Sequence, residues 1–291
     1  MIEAELALDA KVLLGEGPWW NARIQQLYWV DIEGNAFHVF DPATGHDRKI
    51  DVGQMVGCCV GRKSGGVVLA LQNGFYGLDL ESEKLTPLVD PEAHLPNNRF
   101  NDGKCDSRGR LWAGTTRVQH DEPAGYLYRL DADLTVNRKL DDVWISNGLA
   151  WSLDDKTMFY IDSPTSEIVA FDFDARSGEI SNERLVLELP EDGGSPDGMT
   201  IDEEGMLWVA LWDGWRVIRV NPERGEIIDE VRLPVARPTS CAFGGANLDE
   251  LYITTASTRM PAEELAKQLL AGGIFRCKPG VRGLPAHEFA G

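Results

Sequence analysis

The chain alternates apolar and polar residues in short runs, and one pattern recurs six times. Each copy begins with a run rich in aromatic and β-branched residues, such as LYWVDI at 27–32 and LWVALW at 207–212. Runs of about four to eight such residues, bounded by turn residues, are typical of β-strands. The six runs start at residues 27, 67, 111, 158, 207 and 251.

Turn residues bracket each of these runs. A turn with Gly, Asp or Asn precedes the run, and a second alternating run follows it, as in NAFHVFDPATG at 35–45 and WRVIRVNPERG at 215–225. In DPATG and NPERG, Asp or Asn opens a tight turn and Gly closes it. Units of about 45 residues with about four short strands match the blades of a β-propeller. The pattern therefore predicts an all-β fold, a six-bladed β-propeller with four antiparallel strands per blade.

The sixth unit lacks a convincing fourth strand, because residues 281–291 are rich in Gly and Pro. The alternating run EAELALDA at 3–10 is the candidate that replaces it, so we expect the N-terminal strand to close the ring and pair two sheet edges. A helix is predicted only over 261–273, which starts with Pro and ends at Gly. Linkers are not visible, so residues 1–291 are interpreted as a single propeller domain.

The net charge of the chain limits the classes of partner that we expect it to bind. Lys and Arg total 28 and Asp and Glu total 47, for a formal net charge of −19. This acidic balance argues against nucleic acid and against anionic membrane surfaces. No apolar run reaches the about 20 residues that span a bilayer, and the acidic N-terminus is unlike a signal peptide. We expect a small-molecule ligand and a monomer or weak homo-oligomer.

The cysteines indicate the compartment. There are five of them, an odd number, and none has the CxxC spacing of a metal site. Cys58 and Cys59 are adjacent, and adjacent strand residues point to opposite faces, so packing is predicted for this pair. We therefore expect free thiols in a reduced, cytoplasmic protein.

Polar residues recur at one phase of the repeat. The first strand of each propeller blade lines the central tunnel, and the position ten or eleven residues before each run falls on that strand. Oxygen-bearing carboxylate or amide side chains occupy this position in four of the six units. The six residues at this phase are Glu16, Gly57, Asn101, Asn147, Asp197 and Ser240.

Two carboxylates and two amides that converge in a tunnel call for a positive charge among them. All-oxygen ligands suit Ca²⁺, Mg²⁺ or Mn²⁺, and no histidine falls at this phase, which weakens a His-rich zinc site. The alternative is that the Asn-Gly and Asp-Gly pairs only form turns and that Glu16 is a solvated rim residue. Recurrence at one register favours a divalent-cation site.

Several of these segments resemble the regucalcin/gluconolactonase (senescence marker protein) family. The motifs are GEGPWW, RFNDGKCDSRGRLWAGT, SNGLAWSLDD and SPDGMTIDEEGMLWVALW, and they occur in family order over nearly the whole chain. The resemblance implies a six-bladed propeller that holds one divalent cation and hydrolyses a sugar (aldono-)lactone to the aldonic acid. It leaves the metal open, with Ca²⁺ favoured and Zn²⁺, Mg²⁺, Mn²⁺ or Fe²⁺ as alternatives.

Matched by motif, the resemblance also implies residue roles. Glu16, Asn147 and Asp197 are the implied metal ligands, and Asp197 is also the implied catalytic base. Arg99 and Asn101 are the implied contacts to substrate or to water on the metal. The cation then polarises the lactone carbonyl, and water is delivered either by Asp197 or as metal-bound hydroxide.

One loop departs from the family pattern. Some members place a Glu for the sugar hydroxyls after the strand that corresponds to LWAGT. Here that loop is RVQHDEPAG at 117–125, with a different length, and it leaves Asp121 and Glu122 as candidates. The native lactone is therefore open. Two other functions also remain: hydrolysis of organophosphate or other esters, and calcium binding without catalysis.

Overall fold

The computed structural model describes residues 2–190 and 193–291, and most of them form short strands. Two short strands open the chain, five groups of four consecutive strands then form one antiparallel sheet each, and the last three strands form the sixth sheet together with β2. The opening strands are β1 (Ile2–Glu3) and β2 (Glu5–Leu8). The first three sheets consist of β3 (Gly15–Asn21), β4 (Gln26–Asp31), β5 (Ala36–Asp41) and β6 (His46–Asp51); β7 (Val56–Gly61), β8 (Val67–Leu71), β9 (Gly74–Leu78) and β10 (Leu85–Val89); and β11 (Asn98–Cys105), β12 (Leu111–Arg117), β13 (Gly125–Leu130) and β14 (Val136–Val143).

Three more sheets follow in the second half of the chain. A short 3₁₀ helix, Ser163–Thr165, lies between the second and third strands of the fourth sheet. The elements are β15 (Ser146–Trp151), β16 (Thr157–Asp162), β17 (Glu167–Asp174) and β18 (Glu179–Glu188); β19 (Ser195–Ile201), β20 (Leu207–Trp212), β21 (Arg216–Asn221) and β22 (Glu226–Arg232); and β23 (Pro238–Gly244), β24 (Glu250–Thr255), α1 (Ala262–Leu265) and β25 (Ile274–Cys277).

The first strand of each sheet packs against the first strand of the next. The contacts run from β3 to β7, β11, β15, β19 and β23, and β23 packs back against β3. This circuit of six sheets among the described residues is a six-bladed β-propeller with four strands per blade, as the repeat predicts. The six inner strands surround the central tunnel, and any side chains that they direct inward meet there.

The N-terminal segment closes the ring. Strand β2 pairs antiparallel with β25, with Glu5 opposite Arg276, and so supplies the fourth strand of the sixth blade. The prediction of closure by the N-terminal strand is confirmed. Strand β1 adds a feature that the pattern did not indicate, because it pairs in parallel with β22 of the fifth blade, with Ile2 opposite Val231. The segment therefore joins two neighbouring blades.

The helix predicted over 261–273 is wrong in its extent. In the described chain only α1 is helical in this segment, and the residues after Ala266 form turns. Long-range hydrogen bonds explain the difference: the buried Gln268 side chain accepts from Ala236 N–H at 2.6 Å, and the Gly272 carbonyl accepts from Val12 N–H at 3.2 Å. These long-range hydrogen bonds hold the backbone in a conformation that is incompatible with a longer helix.

A repeated motif, D-x-x-G-x-L-W, builds the same corner in two blades. The indole N–H of Trp112 donates to Asp106 and that of Trp208 donates to Asp202, both at 2.9 Å. Both tryptophans and both carboxylates are fully buried. Buried carboxylates are tolerated only when hydrogen-bonded, so this motif anchors the second strand of each blade to the first.

Every inner strand carries a register shift at the same level of the tunnel. One or two residues of the inner strand bulge out of the ladder there, which re-aims the side chains at that point. The shifts lie between Glu16 and Trp19, Val56 and Cys58, Phe100 and Gly103, Asn147 and Leu149, Pro196 and Met199, and Pro238 and Ser240. The recurring phase seen in the sequence coincides with this ring of bulges.

The cysteines agree with the expectation of free thiols. All five are buried and none forms a disulfide. Burial raises the pKa of each thiol, and that of Cys241 rises to about 12, so burial favours the thiol over the reactive thiolate. Within the described ranges no helix has the length and apolar character needed to cross a bilayer.

Candidate active site

Five residues singled out by the repeat and the family motifs line one cavity. It has a volume of about 220 Å³, and its apolar walls are Leu14, Ile32, Ile145 and Trp212. The inner strands of four different blades contribute these five polar residues, which are Glu16, Arg99, Asn101, Asn147 and Asp197. The remaining two residues at this phase do not line the cavity: Gly57 packs against the β11 backbone and Ser240 packs against Gly198.

Glu16 and Asp197 are two buried carboxylates, with 5% and 7% of their surface exposed. Burial, Asp197 and Asp102 raise the pKa of Glu16 well above its usual value. Burial and Asp102 likewise raise the pKa of Asp197. Arg99 acts in the opposite direction on both groups. Burial and the repulsion among the carboxylates therefore outweigh the effect of Arg99 and disfavour the ionised form of both groups.

Asp102 is a third buried carboxylate that sequence reasoning missed. It follows Asn101 directly, and strand alternation predicts that neighbouring residues point to opposite faces. The bulge between Phe100 and Gly103 breaks this alternation. Asp102 consequently acts on both Glu16 and Asp197, while its own pKa is raised by burial and lowered by Lys104. The Asn-Asp-Gly triplet was the available signal.

The amide of Asn147 has a defined orientation. Its Nδ2 donates to Ser163 Oγ at 2.8 Å, and Ser163 Oγ donates to the Pro196 carbonyl at 2.6 Å. Because the Ser163 hydroxyl proton is used on Pro196, Ser163 must accept from Asn147, and only an amide nitrogen can donate. Asn147 Oδ1 therefore lies on the other side of the amide, where Asn101 Nδ2 donates to it at 3.1 Å.

Asn101 lies between Arg99 and Asn147. Its Nδ2 donates to the Ser146 carbonyl at 2.8 Å and to Asn147 Oδ1, and its Oδ1 accepts from Arg99 Nη1 at 2.6 Å. Both amide protons are used inside the protein, so a substrate finds only one remaining lone pair on Oδ1. The geometry makes Asn101 chiefly a link that orients its two neighbours.

Arg99 is a buried cation. Its Nη1 also donates to the Phe100 carbonyl at 2.9 Å. Burial, followed by Arg259, lowers the pKa of Arg99 to about 10, so the guanidinium remains charged at neutral pH. Its Nε and Nη2 have no hydrogen-bond partner within residues 2–190 and 193–291, which leaves three N–H donors for a bound molecule.

Two further arginines stand at the rim. Arg237 is paired with Asp213 at 2.7 Å and stacks over Trp212, with its guanidinium carbon 4.6 Å from the ring centroid. Arg259 contacts Glu33 at 3.3 Å. Because both guanidinium groups are paired with carboxylates, the rim is less positive than its arginine content indicates.

The loop after β12 places a different residue at the cavity from the two candidates of the sequence. Asp121 and Glu122 are both more than half exposed, and both pair with Arg117 instead of lining the cavity. His120 lines the cavity from this loop. No repeat or spacing within residues 117–125 indicates which of His120, Asp121 and Glu122 lines the cavity.

The donor set of the cavity fits a divalent cation. No cluster of three or more His, Cys, Asp or Glu side chains suited to a metal occurs in the part of the chain described here. The set in this cavity is instead two carboxylates and an amide oxygen, from Glu16, Asp197 and Asn147. Hard cations prefer such oxygens, and a cation among two buried carboxylates offsets the burial and the repulsion that raise their pKa values.

Comparison with known sequences gives full-length relatives. The family model described as SMP-30/Gluconolactonase/LRE-like region matches residues 14–257. A putative sugar lactone lactonase of Bacillus subtilis strain 168 is 40% identical over 290 residues, covering 100% of this chain and 99% of that protein. Regucalcin of Gallus gallus is 44% identical over 297 residues, again covering 100% of this chain and 99% of the relative.

Solved structures have the same architecture. A luciferin-regenerating enzyme has a TM-score of 0.93 and 36% identity, with 99% of both chains covered. A regucalcin of Agrobacterium tumefaciens, described as a calcium-binding protein, has a TM-score of 0.95 over 99% of this chain and 97% of that chain; at 24% identity it shows the fold alone. From the match of the family model and the identity to full-length relatives, the chain belongs to the SMP-30/gluconolactonase/LRE-like family.

Proposed function

We propose that this protein hydrolyses a sugar lactone, an aldonolactone, to the aldonic acid and depends on a divalent cation. The observation that carries the proposal is the convergence of Glu16, Asn147 and Asp197, from three blades, on a cavity that also contains Arg99. Membership of the family supports it, as does the relative named a putative sugar lactone lactonase.

Three residues are proposed to hold the cation: Glu16, Asp197 and Asn147 through its Oδ1. Ca²⁺ is favoured because all three ligands are oxygens, and Mg²⁺, Mn²⁺, Zn²⁺ and Fe²⁺ are the alternatives. A cation bound there supplies the positive charge that polarises the lactone carbonyl and stabilises the oxyanion. Ser163 orients the Asn147 amide for this role, as partners of metal ligands commonly do.

Asp197 is proposed as the general base. The attacking water forms a bond to the carbonyl carbon and gives a proton to the Asp197 carboxylate. The ring carbon–oxygen bond then breaks, and Asp197 returns this proton to the departing ring oxygen, which becomes a hydroxyl. The position of Asp197 on β19, in the cavity that also contains Glu16, Asn147 and Arg99, supports this role.

Arg99 is proposed to bind the substrate through the N–H groups that the protein does not use. A guanidinium donates to a sugar hydroxyl, and it donates more strongly to the carboxylate that forms on ring opening. Asn101 holds Arg99 through its Oδ1 and Asn147 through its Nδ2, so it positions one residue for the substrate and one for the cation.

We further propose that residues 1–291 act as one cytoplasmic propeller on a small molecule, without a nucleic-acid or membrane partner. The five buried free thiols support a reducing compartment. The net charge of −19 disfavours binding to phosphate backbones and anionic lipids.

Lactone hydrolysis measured by proton release tests the proposal. Protein stripped of metal is assayed with gluconolactone, xylonolactone, arabinolactone and galactonolactone after addition of each cation in turn. We expect chelation to abolish activity and one cation to restore it. Asp197→Ala should be inactive with unchanged β circular dichroism, whereas Asp154→Ala, an exposed surface acid, should be fully active.

Three outcomes would overturn the proposal in different ways. Cation binding without hydrolysis of any lactone or ester would leave a calcium-binding protein. Hydrolysis of an organophosphate triester but of no lactone would assign the same site to ester substrates. Lactone hydrolysis that survives in Asp197→Ala would remove Asp197 from the base role.

A further inference from the structure

His120 occupies a strained position at the mouth of the cavity. It has a left-handed backbone with φ of 52°, in a turn closed by its own N–H, which donates to the Arg117 carbonyl at 2.9 Å. A residue other than Gly in this region is uncommon, and such strain persists where the surrounding structure requires that residue. The turn directs Asp121 and Glu122 to Arg117 and leaves His120 against the cavity.

Arg259 determines which ring nitrogen of His120 carries the proton. Its Nη1 lies 3.1 Å from His120 Nδ1, and its Nη2 is held by Glu33 at 3.3 Å. A guanidinium only donates hydrogen bonds, so Nδ1 accepts and the proton is on Nε2. Burial, Arg99 and Arg259 lower the pKa of His120 to about 4, so the ring is neutral at neutral pH.

The Nε2–H group of His120 lacks a hydrogen-bond acceptor among the described residues. Nε2 is buried and makes no hydrogen bond within residues 2–190 and 193–291. A buried donor without a partner is costly, and native proteins contain few of them. The His120 ring lines the cavity, whereas Nε2 itself has almost no accessible surface, so a bound molecule supplies the missing acceptor after a small shift of the ring exposes Nε2.

We propose that His120 Nε2–H donates a hydrogen bond to a hydroxyl oxygen of the lactone, so that His120 selects lactones that carry a hydroxyl at that position. The inference rests on the proposed lactonase function and names a specificity-determining residue for it. The guanidinium of Arg99 also donates, so His120 and Arg99 offer donors to the sugar, while Glu16 and Asp197 are assigned to the cation. The sugar is thereby oriented relative to the reacting carbonyl.

Two size-matched variants test the hydrogen bond. His120→Gln keeps an N–H near the place of Nε2, whereas His120→Met removes it. The wild type and both variants are assayed with gluconolactone and with the deoxy analogues that each lack one hydroxyl. We expect His120→Met to raise KM about three- to tenfold, the effect of one neutral hydrogen bond, with little change in kcat. His120→Gln should retain a KM near that of the wild type.

The deoxy analogues separate recognition from a structural role. One analogue should show a raised KM with the wild type and no further increase with His120→Met, because the hydroxyl and its donor are coupled. Asp121→Asn and Glu122→Gln, which alter neighbours in the same loop, should behave as the wild type. Circular dichroism and Tm of each variant are measured in parallel.

Each contrary result has its own meaning. Equal losses with every lactone, or equal losses in the Gln and Met variants, would make His120 a structural residue of the loop and overturn the inference. A His120→Met variant with unchanged KM for all lactones would do the same. A wild type that hydrolyses no lactone would overturn the proposed function first and this inference with it.

Discussion

Asn147 Nδ2 donates to Ser163 Oγ at 2.8 Å, and this hydrogen bond decides which end of the Asn147 amide faces the cavity. The partner comes from the turn after β16, and its own proton is used on the Pro196 carbonyl of the next blade. Blades four and five are therefore connected through Ser163, the side chain that also orients the proposed cation ligand Asn147. A defect at Ser163 should reach the cation site although Ser163 is not a proposed ligand.

Ser163→Ala should weaken binding of Ca²⁺ by about 10–100-fold, the usual cost of losing a partner that orients a metal ligand. The substitution removes the acceptor of Asn147 Nδ2, and the amide is then free to turn its nitrogen toward the cation. Calorimetric titration of metal-free protein measures the change. Thr165→Ala is the matched control, because the Thr165 hydroxyl of the same turn bonds only to nearby backbone: it donates to the Asp162 carbonyl and accepts from the Glu167 N–H. Equal affinities in the two variants would contradict the relationship.

Glu16→Gln should have opposite effects on affinity and on metal-free stability. We expect the affinity for Ca²⁺ to fall more than about 100-fold, because the charge of a proposed ligand is lost. This loss is larger than that expected for Ser163→Ala, which removes only a residue that orients a ligand. In chelator, Tm should rise, because the variant removes a buried charge that Asp197 and Asp102 destabilise. Thermal unfolding with chelator and with Ca²⁺ measures both effects. The exposed Glu83→Gln is the control, and a lower Tm in chelator for Glu16→Gln would refute the account.

Gly57→Ala should destabilise the propeller by about 1–3 kcal/mol, the range for overpacking. A Cβ at Gly57 would lie 2.3 Å from the Asn101 carbonyl oxygen and 2.5 Å from the Phe100 carbonyl carbon, so the backbone of β11 must move. Urea unfolding measures the loss. Gly77→Ala is the control, since the nearest atom to its Cβ is an arginine nitrogen 3.5 Å away. Similar stability of both variants would show that the inner strands accommodate an added methyl group better than this contact indicates.

The effect of His120 should not change with pH near neutrality. Burial, Arg99 and Arg259 lower its pKa to about 4, so the ring stays neutral from about pH 5.5 to 8.5, a range in which an unperturbed histidine titrates. The ratio of KM values between His120→Met and the wild type should therefore be constant over that range. The ordinary pKa of histidine is about 6.5, and a KM ratio that changes around that pH would contradict the lowered pKa of His120.

The same shift predicts the pH dependence of stability. Because the folded pKa lies below the unfolded value of about 6.5, the contribution of His120 is fully present above that pH and is lost as the pH falls toward 4. The free energy of unfolding of the wild type should thus decrease relative to His120→Gln on acidification. His46→Gln, at an exposed strand position, serves as the control, and a parallel course of the wild type and His120→Gln would be evidence against the shift.

The architecture was predictable because a local pattern of apolar, polar and turn residues repeats along the chain. Alternation and turn residues define each strand, and repeated units of about 45 residues with four short strands match the blades of a propeller. Closure by β2 followed from an unpaired sheet edge. The convergence of Glu16, Asn147 and Asp197 also followed, since equivalent positions of a ring face the same tunnel.

By itself the sequence determined the six-bladed fold, its closure and the polar residues that meet in the tunnel. Only the tertiary structure decided that Asp102 joins them, that Ser163 orients Asn147, that His120 and not Asp121 or Glu122 reaches the cavity, and that α1 stops after one turn. The physical reason is common to these features. Each depends on a bulge or on a hydrogen bond between groups far apart in the chain, and such partners leave no mark in a local pattern of apolar and polar residues.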